Sequence, residues 1–210
     1  KTLEDLLDVS KKWDKFASEN FSMPYQGYVL TPYYRSADSQ YEVYWVGVSP
    51  SFEAQGTTQG EMLTKGAKLS AEFLEVLDCE GQGQWGAMTV MSGGESVPEQ
   101  GTVSFQSCTM KEGASMEKMM VADAKMTALA QKIGITGGML RWFPLGGQNN
   151  SFTADYLQVT SNSSLAERGK NYDRAIKNGM PQLVDSFYGE LVQCRAGGTS
   201  LYVGAGGSEG

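Results

Sequence analysis

Histidine is absent from the 210-residue sequence. Because histidine is the commonest general base and metal ligand near neutral pH, this absence excludes several classes of site. Ser-His-Asp and Cys-His mechanisms, histidine-ligated haem and histidine-based zinc sites cannot form within one chain. The three cysteines, Cys79, Cys108 and Cys194, are too few for a four-cysteine zinc site or iron–sulfur cluster. We therefore expect no metal and no cofactor.

Basic residues and long apolar runs are also scarce. The chain has 17 basic and 24 acidic residues, a formal net charge of −7. This charge repels phosphate backbones and anionic lipid, so we expect neither nucleic acid nor a membrane surface as a partner. Every apolar run is much shorter than the roughly 18 residues that span a bilayer. With 40% hydrophobic residues, the sequence indicates a soluble protein with a real core.

The sequence contains an internal duplication that begins with two similar amphipathic segments. Residues 2–17 match residues 115–130, and the shared apolar positions follow the 3.6-residue helical period. Thr2 and Ser115 are the predicted N-caps, and only the first has an acidic residue, Asp5, at the supporting position. The matched apolar positions are Leu3, Leu6, Leu7, Trp13 and Phe16, paired with Met116, Met119, Met120, Met126 and Leu129.

The similarity continues through the rest of each half. Residues 28–34 and 44–50 match 140–145 and 155–161, and their β-branched and aromatic composition predicts a hairpin in each half. A helical region with a break near a glycine follows, at 61–77 (Gly66) and at 165–191 (Gly179). Each half then closes with a strand, at 84–91 and 200–206.

One predicted strand has no counterpart in the first half. Residues 102–110 form a strand before the second helix, whereas the first half starts directly at its helix. We therefore expect the first strand of the first repeat, about a dozen residues in all, to lie upstream of Lys1. The predicted organisation is a first repeat at 1–91, a linker at 92–100, a second repeat at 101–206 and a tail at 207–210. Each complete repeat is a βαββαβ unit in an α+β fold.

The same topology bears on the cysteines. The first and last strands of a βαββαβ unit are neighbours in the sheet, which brings Cys108 near Cys194. A Cys108–Cys194 disulfide then leaves Cys79 unpaired because its partner strand is missing. The alternative is three reduced, buried cysteines. The disulfide would favour a periplasmic or secreted protein, and reduced cysteines a cytoplasmic one.

This pattern resembles a ferredoxin-like duplication of the dimeric α/β-barrel type, through its two helix–hairpin–helix–strand sets. It is also similar to uncharacterised proteins of marine bacteria with a Cys-Thr-x-x-Glu-Gly element, here Cys108 to Gly113. The resemblance implies two βαββαβ repeats packed as a pseudo-dimer, with ligands between a sheet and its helices. Such families include cofactor-free monooxygenases, haem enzymes and small-molecule-binding proteins. The lack of histidine argues against the haem branch, and no catalytic signature is present.

The candidate site residues lie on the two predicted hairpins. Strand alternation sends Arg141 and Phe143 to one face and Trp142 to the other. An arginine among aromatic residues can bind an anion, with Asp155 or a tyrosine as proton acceptor. The alternative is a paired or snorkelled arginine in the core. Arg141 and Asp155 have no counterpart in the first half, so we expect the site in the second. The candidates are Tyr33, Tyr44, Arg141, Phe143, Asp155 and Tyr156.

Three hypotheses of function remain from the sequence. The first is a protein that binds a small apolar or anionic molecule between sheet and helices. The second is a cofactor-free monooxygenase-like or isomerase-like enzyme, which requires a buried titratable group with a shifted pKa in the same pocket. The third is a structural protein that assembles, for example as a homo-oligomer, through its sheet edges or helices. The binding hypothesis is favoured because the sequence shows apolar lining residues but no recognisable set of catalytic polar groups.

Overall fold

The computed structural model describes residues 2–35, 41–79, 81–94 and 98–205. These residues form an α+β fold with six helices and eight strands. The chain divides into two compact units. The first holds described residues 2–31, 41–79 and 202–205, and the second holds 32–35, 81–94 and 98–201.

The first unit contains three helices and three strands, two of them only in part. Its elements are α1 (Leu3–Asn20), most of β1 (Gln26–Tyr34), β2 (Tyr44–Val48), α2 (Phe52–Lys65), α3 (Ala67–Val76) and the last residues of β8 (Thr199–Gly204). The strand order is β2-β1-β8. Trp13 lies at the centre of its aromatic core, with Trp45 and Phe73 at 5.3 and 5.4 Å between ring centroids. Burial raises the pKa of the neighbouring Tyr25 to about 12.

The second unit contains the remaining helices and strands. Its elements are β3 (Gln84–Met91), β4 (Gln100–Met110), α4 (Met116–Lys132), β5 (Gly138–Gly146), β6 (Tyr156–Asn162), α5 (Leu165–Lys177), α6 (Met180–Tyr188), β7 (Val192–Cys194) and the first residues of β8. The strand order is β8-β4-β6-β5-β3, and β7 also pairs with β4. The β4–β6, β5–β6, β3–β5 and β4–β7 pairs are antiparallel.

Both predicted helix starts are confirmed, including the difference between them. The Thr2 side chain accepts a hydrogen bond from the Asp5 N–H, and the Asp5 carboxylate accepts one from the Thr2 N–H at 2.7 Å. This capping box satisfies two N–H groups that a helix start leaves unpaired. Ser115 caps α4 through the Lys118 N–H, without a reciprocal bond from Lys118 to Ser115.

The other predicted elements form, and all but the first helical region begin within two residues of the predicted position. The helical regions break where the glycines predicted it: Gly66 separates α2 from α3, and Gly179, with φ of 63°, precedes α6. The left-handed backbone at Gly179 suits glycine because it has no Cβ. The first helical region begins at Phe52, earlier than expected, because Ser51 accepts a hydrogen bond from Ala54 N–H. Residues 95–97 of the predicted linker and 206–210 lie outside the described residues, and the repeat boundaries stay predictions.

The layer between helices and sheet in the second unit is filled by sulfur-containing and aromatic side chains. One cluster joins Cys108, Met119 and Tyr156, and a second joins Met91, Ala130, Met139 and Met180. The methionines of α4 that face the sheet therefore belong to the core, where the flexible thioether fills irregular space. No helix within the described ranges is long and apolar enough to cross a membrane.

Candidate functional site

A buried ion pair lies between α4 and β5 in the second unit. The Arg141 side chain is 1% exposed. Its Nη1 and Nη2 donate to the two carboxylate oxygens of Asp123, at 2.6 and 2.5 Å. Two parallel hydrogen bonds of this kind fix both side chains and compensate the cost of taking two charges out of water. Burial by itself would lower the pKa of Arg141, but the bonds to Asp123 outweigh it and the pKa is raised.

Two tyrosines complete the surroundings of this pair. Tyr188 donates its hydroxyl to Asp123 at 2.7 Å, and the Arg141 guanidinium lies 5.3 Å from the centre of the Tyr156 ring. Burial raises the pKa of both hydroxyls, and the bond to the Asp123 carboxylate raises that of Tyr188 further. Both tyrosines therefore stay protonated near neutral pH. The group is a neutralised cluster in which neither phenol is a ready base.

One polar atom of the cluster has no partner. Arg141 Nε is buried and makes no hydrogen bond within the described residues. The other guanidinium nitrogens are used by Asp123. An incoming anion would have to compete with Asp123 for Arg141, so the arrangement matches the paired core arginine more closely than a free anion receptor.

The structure brings some of the sequence candidates together and separates others. Phe143 and Tyr156 pack with ring centroids 5.8 Å apart, beside Arg141. Asp155 lies at the start of β6, where its carboxylate accepts from the Met110 N–H at 2.7 Å. Tyr33, in the second unit, is 53% exposed, and Tyr44, in the first unit, is 38% exposed.

Strand alternation orders these side chains as expected. Arg141 bonds to Asp123 on α4, and Phe143 packs against the cluster of Cys108, Met119 and Tyr156. Trp142 instead contacts Phe105, at 5.5 Å between ring centroids. The prediction that Arg141 and Phe143 share one face and Trp142 occupies the other is confirmed.

Sequence reasoning missed Asp123 and Tyr188. A signal for Asp123 was present, because it follows buried Met119 by one helical turn and adjoins buried Ala122. A carboxylate on the buried face of a helix needs a cation, which points to Arg141. No equivalent signal marked Tyr188, because the packing of α6 on α4 brings it to Asp123.

A disulfide lies beside the cluster. The Sγ atoms of Cys108 and Cys194, the pair expected from the sequence, are 2.00 Å apart. The two residues are direct partners in the β4–β7 ladder. Cys108 is fully buried with Met119 and Tyr156, whereas Cys79 is an exposed free thiol.

A groove of about 460 Å³ runs between α4 and the end of α6; we refer to it as the α4–α6 groove. Its apolar wall includes Val121, which is 56% exposed, and Phe187. Lys125 Nζ lies 5.9 Å from the centre of the Phe187 ring, which places an ammonium against an aromatic wall. The lining residues are Ser115, Glu117, Lys118, Val121, Ala122, Lys125, Phe187, Glu190 and Leu191.

No group of three or more cysteine, aspartate or glutamate side chains within the described ranges could hold a metal ion. Comparison with protein-family models, with curated proteins and with solved structures gave no match. The function is therefore inferred from the residues and their geometry.

Proposed function

We propose that the protein binds a small, largely apolar carboxylate in the α4–α6 groove. The observation that carries this proposal is the groove's combination of size, apolar walls and ammonium groups. Its volume of about 460 Å³ falls in the range of roughly 300–1,000 Å³ that is common for small-molecule sites. Val121, Ala122, Phe187 and Leu191 offer an apolar surface to the body of a ligand.

Lys118 and Lys125, which line the groove, indicate that the charged end of the ligand is negative. Lys125 makes no ion pair within the described residues and rests on Phe187. Lys118 uses one N–H on the Gly113 carbonyl at 2.7 Å and keeps two donors. Glu117 and Glu190 also line the groove, which disfavours a ligand with several negative charges. A single carboxylate on an apolar body fits this balance best.

Binding is favoured over catalysis because the charges of the buried polar cluster are already paired with each other. Arg141 is neutralised by Asp123, and the pKa values of Tyr156 and Tyr188 are raised. A general base should titrate near the working pH, and these phenols do not. The cluster instead stabilises the α4–β5–α6 packing from which the groove is built.

The proposal includes a ferredoxin-like duplication as the scaffold. In the second unit the chain runs β4, α4, β5, β6, α5 with α6, then β8, and these strands lie in the order β8-β4-β6-β5. Numbered within the repeat, this is the order 4-1-3-2 of a βαββαβ unit. The matched caps and helix breaks of the two halves support the same relationship.

We further propose that the protein works in an oxidising compartment, periplasmic or extracellular. The Cys108–Cys194 disulfide supports this assignment, because thiols in the cytosol are kept reduced in most organisms.

The binding proposal is tested by isothermal titration calorimetry with decanoate, decanol and decyltrimethylammonium. We expect saturable one-to-one binding of decanoate, weaker binding of decanol and the weakest binding of the cation. Val121→Asp places a charge in the apolar wall and should weaken decanoate binding at least tenfold. Lys125→Met should weaken decanoate binding but leave decanol unchanged.

The chain offers a matched control for the first substitution. Met120 is 60% exposed, close to the 56% of Val121, and precedes it on α4 without lining the groove. Met120→Asp should therefore bind decanoate like the unaltered protein. Absence of saturable binding, or equal weakening by Val121→Asp and Met120→Asp, would refute the proposal.

A further inference from the structure

A second pocket is smaller than the α4–α6 groove and is lined by more polar residues. It has a volume of about 90 Å³ and shares no lining residue with the groove. Its lining residues include Arg195 and four that carry a hydroxyl group, Ser107, Thr109, Ser151 and Thr153. The volume is well below the roughly 300 Å³ at which drug-sized ligands are common.

The strand side of this pocket is firmly held. Cys194, immediately before Arg195, is bonded to Cys108 by the disulfide. The Arg195 N–H donates to the Ser107 carbonyl at 2.9 Å. The backbone from which the guanidinium extends is therefore fixed to the β4 strand that supplies Ser107 and Thr109.

The loop side is held as well. Asn149 accepts from the Ser151 N–H through its side chain at 2.9 Å and from the Phe152 N–H through its carbonyl at 2.8 Å. The Phe152 ring packs edge-on against Trp85 with centroids 5.2 Å apart. These contacts position Ser151 and Phe152, and thus the segment that leads to Thr153, before any ligand arrives.

The polar groups of the pocket are unused. The Arg195 guanidinium and the four hydroxyls make no hydrogen bond or ion pair within the described part of the chain. The nearby Asp155 carboxylate is occupied by the Met110 N–H. A guanidinium presents a planar fork of donors that matches an oxyanion, and hydroxyls add further donors.

We propose that this pocket binds a tetrahedral oxyanion, phosphate or sulfate, either free or as the end group of a small molecule. A carboxylate has two oxygens, whereas phosphate and sulfate expose three or four, which better matches one guanidinium and several hydroxyls. The site is independent of the α4–α6 groove, so either can fail without the other.

The test is calorimetric titration of the full chain with inorganic phosphate, sulfate, phenyl phosphate and acetate at constant ionic strength. We expect saturable one-to-one binding of phosphate or sulfate, and weaker binding of acetate. Arg195→Gln should weaken that binding at least tenfold. The combined Ser151→Ala and Thr153→Ala variant keeps the charge and should weaken it several-fold.

Lys177→Gln is the control, because it removes one exposed positive charge at the end of α5. It should leave affinity unchanged. Phenyl phosphate binding as tightly as inorganic phosphate would assign the anion to a phosphorylated molecule, and binding of inorganic ions alone would assign a free ion; both support the pocket. The proposal is overturned if neither ion binds saturably, if acetate binds more tightly, or if Arg195→Gln and Lys177→Gln weaken binding equally.

Discussion

At the scale of single residues, Arg141 shows how one side chain can suggest two functions. An arginine between aromatic residues on a strand predicts either an anion receptor or a buried ion pair. The structure places Asp123 on it with two short hydrogen bonds and Tyr188 on the same carboxylate. The partner, Asp123, lies on α4, 18 residues before Arg141. The sequence of the hairpin alone therefore does not reveal it.

The buried pair predicts a large loss of stability when one partner is removed. Asp123→Asn should lower the free energy of unfolding by about 3–5 kcal/mol, because Arg141 would keep its charge in the core without a counter-ion. Chemical denaturation measures this loss. The double variant Asp123→Leu with Arg141→Met should lose much less than the sum of the single variants.

Asp8→Asn is the control for that measurement. Asp8 pairs with Lys11 at 2.9 Å, but both side chains are largely exposed, so its removal should change the free energy of unfolding little. A loss from Asp123→Asn as small as that from Asp8→Asn would contradict the structural role of the pair.

A second residue, Glu167, predicts a dependence of stability on pH. Thr136, Arg174 and Lys170 donate hydrogen bonds to it and lower its pKa from 4.5 to about 2. Because the unfolded chain binds this proton more readily, the contribution is complete above about pH 4.5 and is lost as pH falls toward 2. The difference in unfolding free energy between the unaltered protein and Glu167→Gln should therefore shrink across this window.

Chemical denaturation of the two proteins at a series of pH values across this window measures the difference. A pH-independent difference for Glu167→Gln would show that its hydrogen bonds do not stabilise the folded state through the charged carboxylate.

At the scale of elements, local chemistry predicted more than long-range packing did. The N-caps at Thr2 and Ser115, the helix breaks at Gly66 and Gly179 and the face alternation at Arg141 follow from hydrogen bonding and periodicity within a few residues. The α4–α6 groove depends on how two helices separated by two strands and another helix come together. No pattern within either helix encodes that contact.

The disulfide could be predicted only in part from the sequence. The predicted topology places Cys108 and Cys194 in one sheet. The strand that carries Cys194 is β7, a three-residue strand paired with β4, and the sequence did not predict it. Val192–Cys194 is too short to display a strand period. The small pocket at Arg195 was missed because its three segments, from β4, from the loop between β5 and β6 and from the residue after β7, come together only on folding.

The disulfide predicts a specific pattern of thiol reactivity. In the unfolded, unreduced protein, iodoacetamide should alkylate one cysteine, Cys79, and after reduction it should alkylate three. Mass spectrometry counts the adducts. Three adducts without reductant would contradict the disulfide.

The same bond should stabilise the fold. Replacing Cys108 and Cys194 together by alanine should lower the unfolding free energy by about 2–5 kcal/mol, since the bond closes a long loop in the unfolded chain. Cys79→Ala, at an exposed free thiol, should change it little. Equal stability of the double variant and Cys79→Ala would contradict this expectation.

At the scale of the whole molecule, the two proposed anion sites belong to a protein with a formal net charge of −7, which repels anions. Each therefore depends on locally placed cations: Lys118 and Lys125 in the groove, and Arg195 in the small pocket. Long-range attraction does not assist either ligand, so contact chemistry must provide the affinity. This agrees with a largely apolar ligand in the groove, whose binding rests on buried surface more than on charge.

The most direct test of the central proposal is a crystal structure of the protein with 10-bromodecanoate, located by the anomalous scattering of bromine. We expect one strong bromine peak between α4 and α6, beside Val121 and Phe187, with the carboxylate near Lys118 or Lys125. The peak should be absent in Val121→Asp and present in Met120→Asp. A bromine peak elsewhere on the protein, or none in the unaltered protein at saturating ligand, would contradict the groove as the binding site.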